Sequence, residues 1–176
     1  MNFNISPSEW WNISTEGIRL VRGLARQECW SEVSRIYHSP ENKAVATARI
    51  VSEITGISTK VADDLRELRT PFIRPADEFL RRVGAYLTGM NDPEFESLGD
   101  ATDRIVHCVQ DLVRNEIGKS VAIVSHGKIL TVLFSHILKR HLTLDEWQSM
   151  GMPALSVIDL ESWTVERGFF STRAIS

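Results

Sequence analysis

The sequence VAIVSHG at residues 121–127 decides the fold. Its unbroken apolar run, residues 121–124, is typical of a strand that is covered on both faces. A helical pattern follows at once, with apolar residues at spacings i, i+3, i+4 and i+7: Leu130, Leu133, Phe134 and Ile137. Another helical stripe precedes the strand: Ala101, Ile105, Cys108 and Leu112. Helix, strand and helix with short links predict an α/β fold with parallel strands.

The N-terminal half repeats this order more weakly. Ser14 is placed to cap a first helix, and residues 33–38 form a short run rich in β-formers. Ser39-Pro40 then opens a second helix, and residues 57–61 predict another strand. The second helix is expected to face inward through four apolar residues: Ala44, Ala48, Val51 and Ile54.

The remaining segments complete a single predicted domain over residues 1–176. Prolines and a glycine interrupt residues 68–99, which indicates an inserted cap with one helix at about 76–87. Residues 155–160 and 163–170 predict two strands joined by a tight turn, so that one of them is antiparallel. The predicted fold is three-layer α/β/α, with a mostly parallel sheet and one antiparallel strand.

Composition excludes several classes of protein. The net charge of −3 provides no basic field for a nucleic acid or an anionic membrane surface. Cys29 and Cys108 have no spacing that suggests a metal site or a disulfide framework, which favours a reducing cytoplasm. Residues 1–6 do not resemble a signal peptide, and no window is apolar enough to span a membrane. We therefore expect a cytoplasmic protein without nucleic acid or membrane partners.

The strand end at residues 125–127 is the first candidate site. In open α/β sheets, ligands bind at the carboxyl ends of strands, and the free amides of the following helix attract anions. Gly127 allows a bound group to approach the backbone, and His126 can donate to a phosphate oxygen or carry a proton. The alternative is that His126 only ends the strand and bonds a loop carbonyl.

A second strand-to-helix junction lies at residues 38–44, HSPENKA. Lys43 falls in the first helical turn, where its charge opposes the helix dipole. Such a local conflict is expected where a site needs a cation. The alternative is a solvated surface lysine.

Together these residues resemble the histidine phosphatase superfamily, whose members are phosphoglycerate mutase-like. Residues 124–127, VSHG, resemble its second histidine motif. Residues 37–48, YHSPENKAVATA, resemble its strand-to-helix motif, a Ser-Pro followed by a basic residue, Ala and later Thr-Ala. Residues 11–17 resemble the segment that opens the first helix, and Glu67 stands where the family often carries an acidic residue. The resemblance runs from about residue 7 to the C-terminus.

The resemblance implies phosphomonoester hydrolysis through a phosphohistidine, without a metal or another cofactor. One histidine attacks phosphorus, a second histidine and cations hold the phosphoryl oxygens, and an acidic residue protonates the leaving oxygen. By position, the implied catalytic residues are His126, as the phosphate-holding histidine, and Glu67, as the general acid. The implied phosphate-binding residues are Lys43, in place of the usual arginine, His126, Gly127 and His38. Since lysine is a point charge, it would fix the phosphate less tightly than arginine does.

The sequence departs from the family at its start. The family opens with an apolar strand that ends in Arg-His-Gly, and that histidine is the nucleophile; here no histidine precedes His38. The chain is a truncated or misassigned reading of a longer gene, or residues 1–5 replace the strand, or a neighbouring protomer supplies the missing pairing. Truncation or a misassigned start is the favoured explanation. Besides a phosphatase, the sequence therefore allows an inactive member that binds phosphate or a phosphorylated ligand, or an assembly role with a partner strand.

The expected partner is phosphate or a small phosphorylated molecule, with a homodimer if a second copy fills the sheet. Arg104 is expected to approach the pocket. His136 and His141 are five residues apart, off the i, i+4 register of paired helical ligands, so we expect no metal site there. The aromatic pair at residues 10–11 is expected to pack under the first helix rather than to line a ligand site.

Overall fold

The structure of the protein, a computed structural model, describes residues 12–27, 30–116 and 118–169. The helices are α1 (Thr15–Ala25), α2 (Asn42–Thr55), α3 (Ala76–Leu87), α4 (Leu98–Arg114), α5 (Gly127–Leu138) and α6 (Leu144–Ser149). The strands are β1 (Val33–His38), β2 (Thr59–Val61), β3 (Ser120–Val124), β4 (Ser156–Asp159) and β5 (Thr164–Gly168). A short 3-10 turn covers Asp63–Leu65.

A parallel sheet of three strands, in the order β2-β1-β3, forms the centre of the fold. His38, at the end of β1, lies opposite Val61 of β2 and Val124 of β3. The carboxyl ends of all three strands therefore meet at one edge of the sheet. Within the described ranges β3 pairs only with β1, so its other edge carries no strand there.

The last two strands form an antiparallel hairpin, which confirms the predicted antiparallel element. β4 pairs with β5, and among the described residues the hairpin forms a separate two-stranded sheet instead of extending the parallel one. Gly168 has a φ of 103°, and a Cβ at this position would collide with the carbonyl oxygen of Leu155. The hairpin can therefore close only with glycine at this point.

Helices cover both faces of the parallel sheet, which confirms the three-layer α/β/α arrangement. Side chains alternate across a strand, and neighbouring residues of β1 enter two different cores. Ile36 belongs to a cluster with Val21 of α1 and Val51 of α2, whereas Tyr37 belongs to a larger cluster with α3, α4 and α5. The expected inner stripe of α4 is present, and its Cys108 is a buried free thiol.

The helix expected at about 76–87 in the insertion has the observed bounds of α3. Its buried residues Val83, Tyr86 and Leu87 join the same core cluster as α4 and α5. The inserted segment thus packs into the main core of the molecule. The domain bounds of 1–176 remain a prediction.

Two details of the sequence analysis were wrong. The second helix begins at Asn42, with Glu41 as its N-cap, and not at Ser39-Pro40. Ile54 was expected to face inward but is 39% exposed. At 100° per residue it lies roughly 90° away from the centre of the stripe formed by Ala44, Ala48 and Val51.

The short helix α6 was not predicted, although its capping box is a local signal: Thr143 and Glu146 bond to each other's backbone amides. Residues 1–5, the pair at 10–11 and Cys29 lie outside the described residues. No helix in the described part of the chain has the length and apolar character that crossing a membrane requires.

Candidate functional site

His126 lies at the edge where the three parallel strands end. It follows β3 in an extended conformation and is the N-cap residue of α5, and only 4% of it is exposed. Its Nε2 is 2.8 Å from the Oγ of Ser39 and 3.6 Å from Oε1 of Glu41. The imidazole therefore sits in a polar cluster, in contact with side chains of another chain segment.

Ser39 ties two histidines together. Its backbone N–H donates to the carbonyl of Val124, which extends the β1–β3 ladder by one residue, and its side chain is fully buried. Nδ1 of His38 lies 2.8 Å from the Ser39 carbonyl oxygen. Because a carbonyl only accepts hydrogen bonds, this nitrogen carries the proton. Both rings are thus held by the residue that follows β1.

Glu41 joins this cluster to the segment that carries Glu67. Its Oε1 accepts a hydrogen bond of 2.7 Å from the backbone N–H of Glu67. Its Oε2 is buried and has no hydrogen-bond partner among the described residues. Since the Glu41 side chain is engaged in this long-range contact, it makes no capping bond to α2.

Glu67 lies at the start of α5. Its Oε1 accepts from the backbone N–H of Ile129 at 2.9 Å, and its Oε2 lies 3.4 Å from the N–H of Lys128. Nζ of Lys128 is 3.7 Å from the same carboxylate. Two of the first-turn amides that the sequence suggested for an external anion are therefore occupied by the chain's own carboxylate.

The surroundings of Glu67 keep it ionised. Burial by itself raises the pKa of this carboxyl. The charge of Lys128, the neighbouring His126 and the backbone bonds from Leu68 and Ile129 lower the pKa by more than burial raises it, so that the net pKa lies below the ordinary 4.5. In this arrangement Glu67 carries no proton at neutral pH. Its role as a general acid remains a prediction that requires it first to gain one.

His126 is neutral at neutral pH. Burial lowers its pKa below the ordinary 6.5, and the carboxylates of Glu67 and Glu41 oppose this effect only in part. Lys43 and Lys128 lower the pKa further. A neutral imidazole held by neighbours can accept or pass on a proton.

The two lysines are placed differently around the cluster. Lys43 is half-buried in the first turn of α2, near enough for its charge to act on His126. Lys128 is only 7% exposed, and its Nζ lies 5.4 Å from the centre of the Phe79 ring. The cluster therefore contains two ammonium groups and two carboxylates around one imidazole.

Gly127 is covered by side chains of α6 and the loop that follows. A Cβ on Gly127 would lie 2.9 Å from both Nε1 of Trp147 and Cε of Met152. The indole Nε1 of Trp147 is buried, and the described residues give it no acceptor. The close approach that glycine allows at this position is used by the chain itself.

Arg104 lies behind the cluster. It forms a partly buried ion pair with Glu96 at 2.8 Å and donates to the carbonyl oxygens of Asp64 and Arg66. It therefore supports the segment that ends in Glu67 without entering the cluster itself. His136 and His141 are apart from the site: the first packs edge-on against Trp163, and the second lies against Gly89.

The structure thus brings His126, Glu67 and Gly127 together, and it places Lys43 and His38 beside them. Sequence reasoning missed three members of the cluster: Ser39, Glu41 and Lys128. Lys128 directly follows the VSHG motif, and this position was a signal for it. Ser39 and Glu41 gave no separate signal, because both act across the sheet. No cluster of His, Cys, Asp and Glu in the described ranges has a geometry that could hold a metal ion.

Comparison with solved structures shows the fold. The structure superposes on YhfR of Bacillus stearothermophilus with a TM-score of 0.72 and 20% identity, over 92% of this chain and 85% of that one. It superposes on a phosphoserine phosphatase of Entamoeba histolytica, in complex with 3-phosphoglyceric acid, with a TM-score of 0.73 and 16% identity, over 96% and 89%. A mycobacterial glucosyl-3-phosphoglycerate phosphatase with inorganic phosphate gives 0.62 and 22% identity, over 84% and 78%.

No curated protein sequence matches this chain. The family profile of the histidine phosphatase superfamily, branch 1, matches residues 11–167, which is most of its length. The order of strands and helices, the strand end at His126 and this match agree with the resemblance read from the motifs. The chain belongs to branch 1 of the histidine phosphatase superfamily.

Proposed function

We propose that the His126 cluster binds the phosphoryl group of a small phosphorylated molecule. The observation that carries this proposal is the position of His126: a buried, neutral imidazole at the carboxyl edge of a parallel sheet, with Lys43 and Lys128 acting on it. Phosphoryl groups are recognised by donors and positive charge around their oxygens. Several structural relatives are named as phosphatases, in agreement with a phosphorylated ligand.

Hydrolysis of a phosphomonoester is proposed as the reaction that this site supports once a nucleophile is present. The chain has five histidines. His126 is held by Ser39, and His38 is bonded to the same residue. His136 and His141 pack elsewhere, and His107 is an exposed residue of α4. We therefore propose phosphate binding as the activity of the chain itself, with turnover dependent on a nucleophile besides these side chains.

Titration with inorganic phosphate, followed by NMR of the histidine rings, tests the binding proposal. We expect the His126 resonances to shift saturably, because the imidazole would donate to or lie against the anion. The resonances of His136 and His141 should stay in place and serve as internal controls. A His126 signal that does not respond to millimolar phosphate would overturn the proposal.

Chemical rescue tests the proposed reaction. Free imidazole can attack the phosphorus of p-nitrophenyl phosphate: a P–N bond forms, the P–O bond to nitrophenolate breaks, and water then hydrolyses the phosphoimidazole. We expect added imidazole to raise nitrophenolate release above the rate without protein, and His126→Gln to remove the gain. An equal gain with His136→Gln and His126→Gln would rule out a role for His126.

An assembly role is a second candidate, and the free edge of β3 is the observation that favours it. Within the described ranges β3 pairs on one side only, and the β4–β5 hairpin stays separate. An unpaired strand edge is a template for another strand, including one from a second copy of this chain. Light scattering over a range of concentrations tests this, and a monomer throughout would count against strand exchange between copies.

A further inference from the structure

Glu41 is a charged residue in the cluster whose position the sequence motifs do not explain. It is only 7% exposed, and its Oε1 lies 3.6 Å from Nε2 of His126. One of its oxygens holds the backbone of Glu67, while the other has no partner in the described residues. A buried carboxylate oxygen without a donor is unfavourable, so this atom is open to a hydrogen-bond donor that arrives with a ligand.

The charges around His126 balance before any ligand is present. Glu41 faces the ring from the start of α2, and Glu67 faces it from the segment before α3. Lys43 acts on the ring from α2 and Lys128 from α5. The ring of His38, at the end of β1, has its Nδ1 committed to the Ser39 carbonyl. Two carboxylates and two ammonium groups sum to zero around a neutral imidazole.

A phosphoryl dianion bound at His126 upsets this balance. Because Glu41 Oε1 is 3.6 Å from Nε2 of His126, an anion that replaces the Ser39 hydroxyl at this nitrogen lies close to the Glu41 carboxylate. Two like charges at such a distance in a buried site disfavour each other's ionisation, and one of the groups then keeps a proton. The pair formed by Glu41 and His126 contains the groups that can take up this proton.

We propose that Glu41 makes anion binding proton-coupled: a phosphoryl dianion binds at His126 together with one proton, which the Glu41–His126 pair takes up. The inference rests on the proposed function of the His126 cluster and adds to it a residue that sets which charge state binds. Affinity then falls as the pH rises, by up to about tenfold per pH unit for one linked proton. Glu41 selects against a bare dianion and favours a protonated complex.

Binding of sulfate, a dianion that does not titrate in this range, tests the inference. The proton uptake of the unmodified protein is measured directly, by calorimetry at pH 7.5 in two buffers with different ionisation enthalpies. We expect about one proton to be taken up per sulfate bound. Sulfate binding with no proton uptake would overturn the inference while leaving the proposed phosphate site intact.

The variant Glu41→Gln provides the second arm. Its amide oxygen can still accept from the Glu67 N–H, so the contact that holds the segment is kept. We expect sulfate to bind this variant more than about tenfold more tightly than it binds the unmodified protein at pH 8, with the two affinities converging near pH 5.5. Glu53→Gln, an exposed change on the same helix, should behave like the unmodified protein.

The outcomes separate the two proposals. If His126 responds to sulfate and phosphate at no pH, the proposed function itself fails. If His126 responds, but Glu41→Gln and the unmodified protein lose affinity in parallel from pH 5.5 to 8, only the role of Glu41 is wrong. Proton uptake together with a flatter pH profile in Glu41→Gln supports both.

Discussion

Residues of the site at the start of α5 also stabilise the fold. Glu67 accepts from the Ile129 amide and neutralises Lys128, so one carboxylate both caps a helix and pairs with a buried ammonium group. The sequence pattern placed an external anion at this helix start. The structure places the carboxylate of Glu67 against two of its amides.

Replacing Glu67 by Gln is expected to lower the free energy of unfolding by about 1–3 kcal/mol, since Lys128 would keep its charge without a partner in a buried position. The amide oxygen of Gln can still accept from Ile129, so the effect reports mainly the lost charge. Urea unfolding at pH 7.5 measures it.

The matched control is Glu53→Gln, which removes an exposed carboxylate that pairs with Arg49. That change should stay within about 0.5 kcal/mol of the unmodified protein. Equal losses in the two variants would mean that the pair of Glu67 and Lys128 adds nothing to stability.

The residues of the site differ in how far sequence could predict them. His126 and Gly127 stand in a local strand-to-helix pattern, and Glu67 was reached through the family resemblance. Glu41 acts through Glu67 and His126, which are far from it in the chain, so no local pattern indicates its contact. Interactions across a sheet depend on strand register, which periodicity alone does not give.

At the scale of elements, hydrophobic periodicity and β-propensity were enough to predict the helices and strands of the core. β1 and α3 have the predicted bounds, because each is a continuous pattern between clear breakers. α6 is only six residues long and buries no residue completely, so it leaves no periodic signal. The hairpin was predicted, but its separation from the parallel sheet was not, because the neighbours of a strand depend on the whole sheet.

Gly168 is the residue on which the hairpin depends most. Gly168→Ala is expected to destabilise the protein by more than about 2 kcal/mol, because the left-handed backbone and the clash with the Leu155 carbonyl act together. Thermal unfolding followed by circular dichroism measures the loss.

Gly56→Ala separates the two causes. Gly56 also has a positive φ, of 75°, but a Cβ there would meet nothing within 4 Å. Gly56→Ala should lower the free energy of unfolding by only about 1 kcal/mol, which is the penalty for the left-handed backbone itself. If the two variants lose equal stability, the steric clash at Gly168 is not significant.

For the whole molecule, buried titratable groups make stability depend on pH. The pKa of His126 is lowered by burial, and that of Glu67 is lowered by its charged and backbone partners, so the folded protein binds fewer protons than the unfolded chain. The contribution of these two groups to the free energy of unfolding is therefore fully present above the ordinary histidine pKa of 6.5. It falls as the pH drops below 6.5, and falls again below the ordinary glutamate value of 4.5.

Urea midpoints at pH 7.5, 6.0 and 5.0 check this dependence. His126→Gln should remove part of the loss between pH 6.5 and 5, because the variant has no imidazole to protonate at this position. His136→Gln should keep the full loss. An unchanged slope in His126→Gln would mean that other groups cause the acid sensitivity.

The packing of α3 also limits which parts of the molecule can open locally. Val83, Tyr86 and Leu87 are buried in the main core, and exposing all three would cost roughly 4.5–9 kcal/mol at about 1.5–3 kcal/mol per side chain. Fewer than about one molecule in a thousand would have α3 detached from the core at any moment. Entry and exit of a ligand are therefore confined to movements of more loosely held parts, such as Met152, whose side chain rests against Gly127 while most of its surface faces water.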